Sequence, residues 1–266
     1  MSIVEAKNLW KEYGNNIVLE QVNVKVKEGE FITIVGTSGC GKTTFLRMLL
    51  GVEQATRGEL LLDGKPFPQE PGDDRGIVFQ RYSVFPHLTV LKNTILGAEF
   101  QHSRLLGKLF GQNRKQAEEK AREILESVGL THALHLYPHE LSGGMQQRLA
   151  IAQALMKKPR ILLLDEPFGA LDPGIRADMH ELILKLWKET GLTIFMITHD
   201  LQEGFYLGTR LWVFDKIRLD PQNPNAYGAC VTYDINVGDT NHSTYNNIDD
   251  SLQSSRKVLI DQECNP

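Results

Sequence analysis

The nine residues Gly36-Thr37-Ser38-Gly39-Cys40-Gly41-Lys42-Thr43-Thr44 decide the fold. They follow the apolar, β-branched run Phe31-Ile32-Thr33-Ile34-Val35 and open into Phe45-Leu46-Arg47-Met48-Leu49-Leu50, whose composition suits a helix. Strand, glycine loop and helix in this order make a phosphate-binding loop. The glycines let the backbone turn so that successive N–H groups point at phosphate oxygens. The helix N-terminus adds about half a positive charge. Lys42 is expected to reach the β- and γ-phosphates, and the Thr43 hydroxyl to hold a magnesium ion. An ordinary glycine-rich βα turn has no use for Lys and Thr in register at its end. A nucleotide site is the stronger reading.

Outward from the loop, the chain alternates strand-like and helical patterns. Before it, Ile17–Leu19 and Val22–Val26 have strand period, and Glu28-Gly29-Glu30 turns into the loop strand. Tyr13 precedes the polar turn Gly14-Asn15-Asn16. After the loop helix, Gly51 is a candidate C-cap, and Leu60–Leu62 reads as a strand running into an Asp63-Gly64 hairpin turn. A short strand, Gly76–Phe79, ends at Gln80. From Arg81 to Tyr137 the pattern is helical, clearest over Gln116–Val128, where Ala117, Ala121, Ile124, Leu125 and Val128 share a face and Gly129 is the stop. Strands return at Ile161–Leu164 and Thr193–Ile197, continuous apolar runs of the kind buried on both faces of a parallel sheet. Between them Asp172 can cap a helix with Pro173 in its first turn, Met179, Leu182, Ile183 and Leu186 on its buried face and Gly191 at its end. Past about Gly238 the chain is rich in Asn, Asp and Ser.

Composition narrows the class. A length of 266 residues with 41% hydrophobic content suffices for a sizeable core. A net charge of −4, with no dominant basic stretch, argues against binding nucleic acid by bulk electrostatics. Cys40, Cys230 and Cys264 are odd in number, far apart and without metal-ligand spacing, as expected in a reducing compartment. No signal-peptide core or run of roughly 18 apolar residues occurs, so a soluble cytoplasmic protein is expected.

Two further constellations carry chemistry. Asp165-Glu166 directly follows the strand Ile161–Leu164, at the sheet edge where α/β folds bind ligands. Asp165 is a candidate magnesium ligand, direct or through water, because Mg²⁺ takes oxygen donors. Glu166 is a candidate base for the water attacking a γ-phosphate, a role worth about 10²–10⁴-fold. In Leu141-Ser142-Gly143-Gly144-Met145-Gln146-Gln147-Arg148, Ser142 can cap a helix whose first N–H groups stay open to an anion. Glycines in a first turn each cost on the order of 1 kcal/mol, and a bound phosphate would offset that. This makes a second phosphate site in a chain with one phosphate loop.

With that pairing, residues 1 to about 235 resemble the ATP-binding subunit of ABC transporters, most nearly the importers of nitrate, sulfonate and taurine type. Gly36–Thr44 matches the Walker A loop, Leu141–Gln147 the family signature, Asp165 and Glu166 Walker B, and Ala170-Leu171-Asp172 the D-loop. The resemblance implies a P-loop NTPase core with a mostly parallel sheet, an N-terminal antiparallel β subdomain and an inserted helical subdomain at about 81–155, followed by a flexible tail at 236–266. It implies that Gln80 senses magnesium and the attacking water, that His199 contacts the γ-phosphate and orders Glu166, and that Tyr13 stacks on adenine. The ligands would be ATP, held by Tyr13, Gly36 to Thr44, Ser142, Gly143, Gly144 and Asp172, and Mg²⁺, held by Thr43, Gln80 and Asp165. The partners would be a second copy of the chain, a membrane permease and, indirectly, a solute-binding protein, at the cytoplasmic face of the membrane. The run Arg81–Leu88 is then either subdomain core or the surface that meets the permease. Glu140 stands where Gln is commoner in the family, and Gly169-Ala170 where Ser-Ala is. A regulatory ABC protein that binds ATP without transport is the alternative, although such chains often carry two nucleotide domains or lack the Glu and His kept here.

Overall fold

The hairpin that opens the chain shows how local backbone geometry shapes the rest. In the computed structural model, which describes residues 2–80, 84–102, 111–218, 220–223 and 225–238, the order is β1 (Ser2–Tyr13), β2 (Asn16–Lys27), β3 (Phe31–Gly36), α1 (Lys42–Leu50), β4 (Arg57–Leu62), β5 (Lys65–Pro66), β6 (Arg75–Val78), α2 (Val90–His102) and α3 (Gly111–Ser127). There follow α4 (Gly143–Leu155), β7 (Ile161–Asp165), α5 (Pro173–Thr190), β8 (Thr193–Ile197), α6 (Leu201–Leu207), β9 (Arg210–Asp215) and β10 (Cys230–Asn236). The chain divides into two compact units, Met1–Gly72 with Thr193–Pro266, and Asp73–Leu192.

In the first unit β1 and β2 pair antiparallel, with Tyr13 opposite Asn16, and β4 joins the other edge of β1. The two strand runs read at residues 17–19 and 22–26 are one strand. Gln21 adopts φ 51, a kink that resets the in–out alternation between Leu19 and Val22 and splits the apparent period. Asp63 and Gly64 both have positive φ (50 and 75), the two-residue hairpin turn expected between β4 and β5. In the same unit β3 lies parallel to both β8 and β9, and β10 runs antiparallel to β9. Phe31–Val35 and all of β8 are buried, as continuous apolar strands require. The α1 helix buries Phe45 against Phe214 (centroids 5.5 Å apart) and Trp212 (6.2 Å) of β9, and Gly51 at φ 89 ends it.

The second unit pairs β6 parallel to β7 and, among the described residues, carries α2 to α5. Of these, α3 buries Ala117, Ala121 and Leu125, and α5 buries Met179, Leu182, Ile183 and Leu186. Cations close two helix ends: Arg148 Nη1 donates to Val128 O (2.8 Å) just past α3, and Lys120 Nζ to Met156 O (2.6 Å) just past α4. The α2 helix gave no clear periodic signal because Asn93 and Thr94 are fully buried beside Leu91 and Ile95. Asn93 spends its amide on local backbone, accepting from Phe85 N (2.8 Å) and donating to Phe85 O and Leu88 O. The expected tail falls almost wholly at residues 239–266, outside the described residues. Among the described residues no helix is long and apolar enough to cross a membrane.

Arg210 binds three parts of the first unit together. It donates to both oxygens of Asp234 in β10 (2.6 and 2.5 Å), to Glu30 before β3 (3.1 Å) and to Lys25 O in β2 (2.7 Å). Arg210→Met keeps the apolar stem and strands two part-buried carboxylates, so we expect a loss of about 2 kcal/mol in urea-denaturation stability.

Candidate functional site

The glycine loop is built by close approach. Gly36, Gly39 and Gly41 have φ of 148, 80 and 92. A Cβ on Gly36 would sit 2.2 Å from Phe214 O, and one on Gly41 would sit 2.7 Å from Leu19 Cδ2 and 3.0 Å from Val18 Cγ1. Gly41 is also the N-cap of α1, which has no side-chain cap and no acidic residue in its first turn, so the positive end of the helix is not neutralised by its own first turn. Lys42 Nζ donates to Gly36 O (2.7 Å) and Thr37 O (2.9 Å) and lies 3.8 Å from Cys40 Sγ. The cation is thus stored on the loop itself. Thr37, Ser38, Gly39 and Thr43 are exposed, Thr44 is half-buried, and the Cys40 thiol is buried.

Tyr13 ends β1 and is 45% exposed as a residue. His199 is exposed in the link between β8 and α6. Its flanks are fixed: Thr198 Oγ1 donates to the buried Glu203 and accepts from Asp200 N, while the Asp200 carboxylate caps α6 by accepting from Gln202 N (2.8 Å) and Glu203 N (3.3 Å).

In the second unit Asp165 and Glu166 end β7, both half-buried. Glu166 has φ 49, a strained backbone for a non-glycine residue and of the kind that clusters at reactive sites. Gln80 Nε2 donates to Glu166 Oε2 at 3.1 Å, which brings together two residues that lie 86 positions apart. No local pattern foretells that contact. Ser142 caps α4 by accepting from Met145 N (3.3 Å). Gly144 has a reason for being glycine besides an anion: a Cβ there would come within 2.5 Å of Ile175 Cγ2 on α5. Asp172 stands at the N-cap of α5 as expected, yet its carboxylate makes no cap hydrogen bond and stays exposed.

The family described as ABC transporter matches residues 19–169. The chain belongs to the ABC transporter family. Its class within that family is the ATP-hydrolysing, ATP-binding subunit, and the mixed α/β fold with an antiparallel and a mostly parallel sheet is that of ABC cassettes. It is 43% identical over 198 residues to a nitrate import ATP-binding protein, NrtD, of Synechococcus elongatus, covering 74% of this chain and 69% of that one. It is 42% identical over 215 residues to a spermidine/putrescine import ATP-binding protein, PotA, of Chromobacterium violaceum, covering 80% of this chain and only 57% of that relative's length. Among solved structures, a dimeric post-hydrolysis ABC cassette bound to ADP and Pi aligns with a TM-score of 0.68 at 31% identity, over 88% of this chain and 98% of that one.

Gly144→Ala forces α4 and α5 apart and should cost about 1–3 kcal/mol in denaturant unfolding. Trimming the obstacle, in Gly144→Ala with Ile175→Ala, should recover part of what the two single changes lose when summed, and a double-mutant cycle reads that coupling.

Proposed function

We propose that this cassette binds and hydrolyses ATP to drive import through a membrane permease, with the nitrate, sulfonate and taurine class as the solute group. The single observation that carries the ATP reading is the Gly36–Thr44 loop with an uncapped helix behind it and the Lys42 ammonium resting on it. Support for the solute class comes from the alignment, which takes in more of the nitrate relative's length than of the polyamine relative's.

Chemically, the residues fit a magnesium nucleotide. The Thr43 hydroxyl, the Asp165 carboxylate and the Gln80 amide are an oxygen-bearing set of the kind hard Mg²⁺ prefers, and the ion supplies charge neutralisation on the transferring phosphoryl group. Lys42 exchanges its two loop carbonyls for phosphate oxygens. Tyr13 presents its exposed ring to the base. Gly39 to Thr44 present N–H groups to the phosphates. Glu166 orients and deprotonates the water, held by Gln80, and His199 contributes the second contact to the γ-phosphate. Ser142, Gly143, Gly144 and Asp172 serve the nucleotide bound by a second copy of the chain, and each copy works at the cytoplasmic membrane face with a permease and a solute-binding protein beyond it. The dimeric relative solved with ADP and Pi supports the pairing of copies.

Glu166→Gln should keep ATP binding, lower turnover by 10²-fold or more and accumulate an ATP-dependent dimer by size-exclusion chromatography; normal turnover would remove Glu166 as the base. Ser142→Arg should stop turnover while single-chain ATP affinity holds. An equal fall in affinity would count against a site completed by a second copy.

A further inference from the structure

Beside the glycine loop lies a charged cluster that none of the roles above uses. Lys11 on β1 is 8% exposed, and its ammonium sits 2.8 Å from the Glu53 carboxylate and 2.8 Å from Gln54 O. The same ammonium lies over the Tyr13 ring, 4.8 Å from its centroid. Lys11 and Tyr13 are two residues apart on a strand and so project from the same face. Glu53 lies just past Gly51, the C-cap of α1, and its carboxylate holds the Lys11 ammonium that covers the ring. The ring is therefore covered on one face by a cation that Glu53 and Gln54 O hold in place. The opposite side of β1 is held as well: Arg57 stacks over Trp10 (4.4 Å) and pairs with Glu12.

We infer that Lys11 and Glu53 are positioning residues that set the Tyr13 ring as a fixed platform for the nucleobase. The inference rests on the proposed role of Tyr13 as the base contact, and goes beyond it by naming what makes the ring ready. A ring free to rotate about χ1 and χ2 has to be ordered when the base arrives; here the ordering precedes binding. One covered face leaves the other as the stacking surface. Proton placement agrees with this. Burial, and then Glu53, push the Tyr13 phenol above its ordinary range, while the Lys11 hydrogen bond holds the Glu53 carboxyl below its own. The phenol therefore stays neutral and the carboxylate charged throughout the neutral range, so the Lys11–Glu53 pair keeps its charges there.

Calorimetry on the full chain, titrated with ATP and separately with inorganic tripolyphosphate, tests this. Lys11→Met should weaken ATP binding roughly two- to fivefold, leave tripolyphosphate binding unchanged, and be largely rescued in Lys11→Arg. Glu53→Gln should weaken ATP in the same selective way. Unchanged ATP affinity in Lys11→Met, or equal loss for both ligands, overturns the inference. Tyr13→Ala separates it from the reading beneath it and should lose about tenfold or more for ATP. If Tyr13→Ala leaves ATP affinity intact, the platform reading itself fails. If Tyr13→Ala weakens ATP while Lys11→Met does not, only the positioning role falls.

Discussion

The first unit depends on the pressure of β2 against Gly41. Val18 and Leu19 occupy the space a side chain at 41 would need, and the residue's φ of 92 is one that L side chains rarely adopt. That close approach stands at the residue where α1 begins, and Gly41, having no side chain, cannot itself cap the helix. The start of α1 then sets the position of Lys42, whose ammonium reaches back to Gly36 and Thr37. Phe45, one turn on, anchors the helix between Trp212 and Phe214. An anion-seeking helix end is costly to leave without acceptors, and a buried aromatic anchor offsets part of that cost.

The second unit uses a different device. Its helix α4 approaches α5 so closely that Gly144 has no room for a methyl group, and the end of β7 places Glu166 in a left-handed backbone conformation. A glycine that serves packing cannot be traded for helix propensity, even though glycine in a first turn is unfavourable on its own. The two-glycine start is therefore over-determined. The anion reading accounts for open N–H groups, and the contact with Ile175 accounts for the missing side chain. Neither excludes the other.

Much of this was legible before any coordinates. The glycine loop, the hairpin turn at Asp63-Gly64, the stops at Gly51, Gly129 and Gly191, the buried face of α5 and the cap at Ser142 all follow from local rules, and local rules held. What escaped was non-local or masked. The kink at Gln21 disguised one strand as two. Buried Asn93 and Thr94 blurred the apolar stripe of α2. The β10 strand, with Thr232, Tyr233 and Asp234 along it, reads as polar chain until its pairing with β9 is seen. In the candidate site, Lys42, Thr43, Asp165, Glu166 and Ser142 stand out by local pattern, and Tyr13, Gln80 and His199 only through the family resemblance. The contacts were not legible: Gln80 with Glu166, and Lys11 with Glu53, join segments whose separation in sequence leaves no periodic trace.

The interrupted course of the first unit bears on how the chain is made. Strand β3 leaves the ribosome early, yet its two parallel neighbours, β8 and β9, come from beyond Leu192, after the whole of the second unit. At about 5–20 residues per second, the glycine loop spends roughly ten seconds or more beside an unpaired strand that is apolar at every position but Thr33 up to the loop. The second unit, continuous in sequence, is free to condense during that interval. Synthesis therefore imposes an order of assembly in which the nucleotide loop gains its complete sheet last, with β3 as the stretch most in need of protection from stray pairing while it waits.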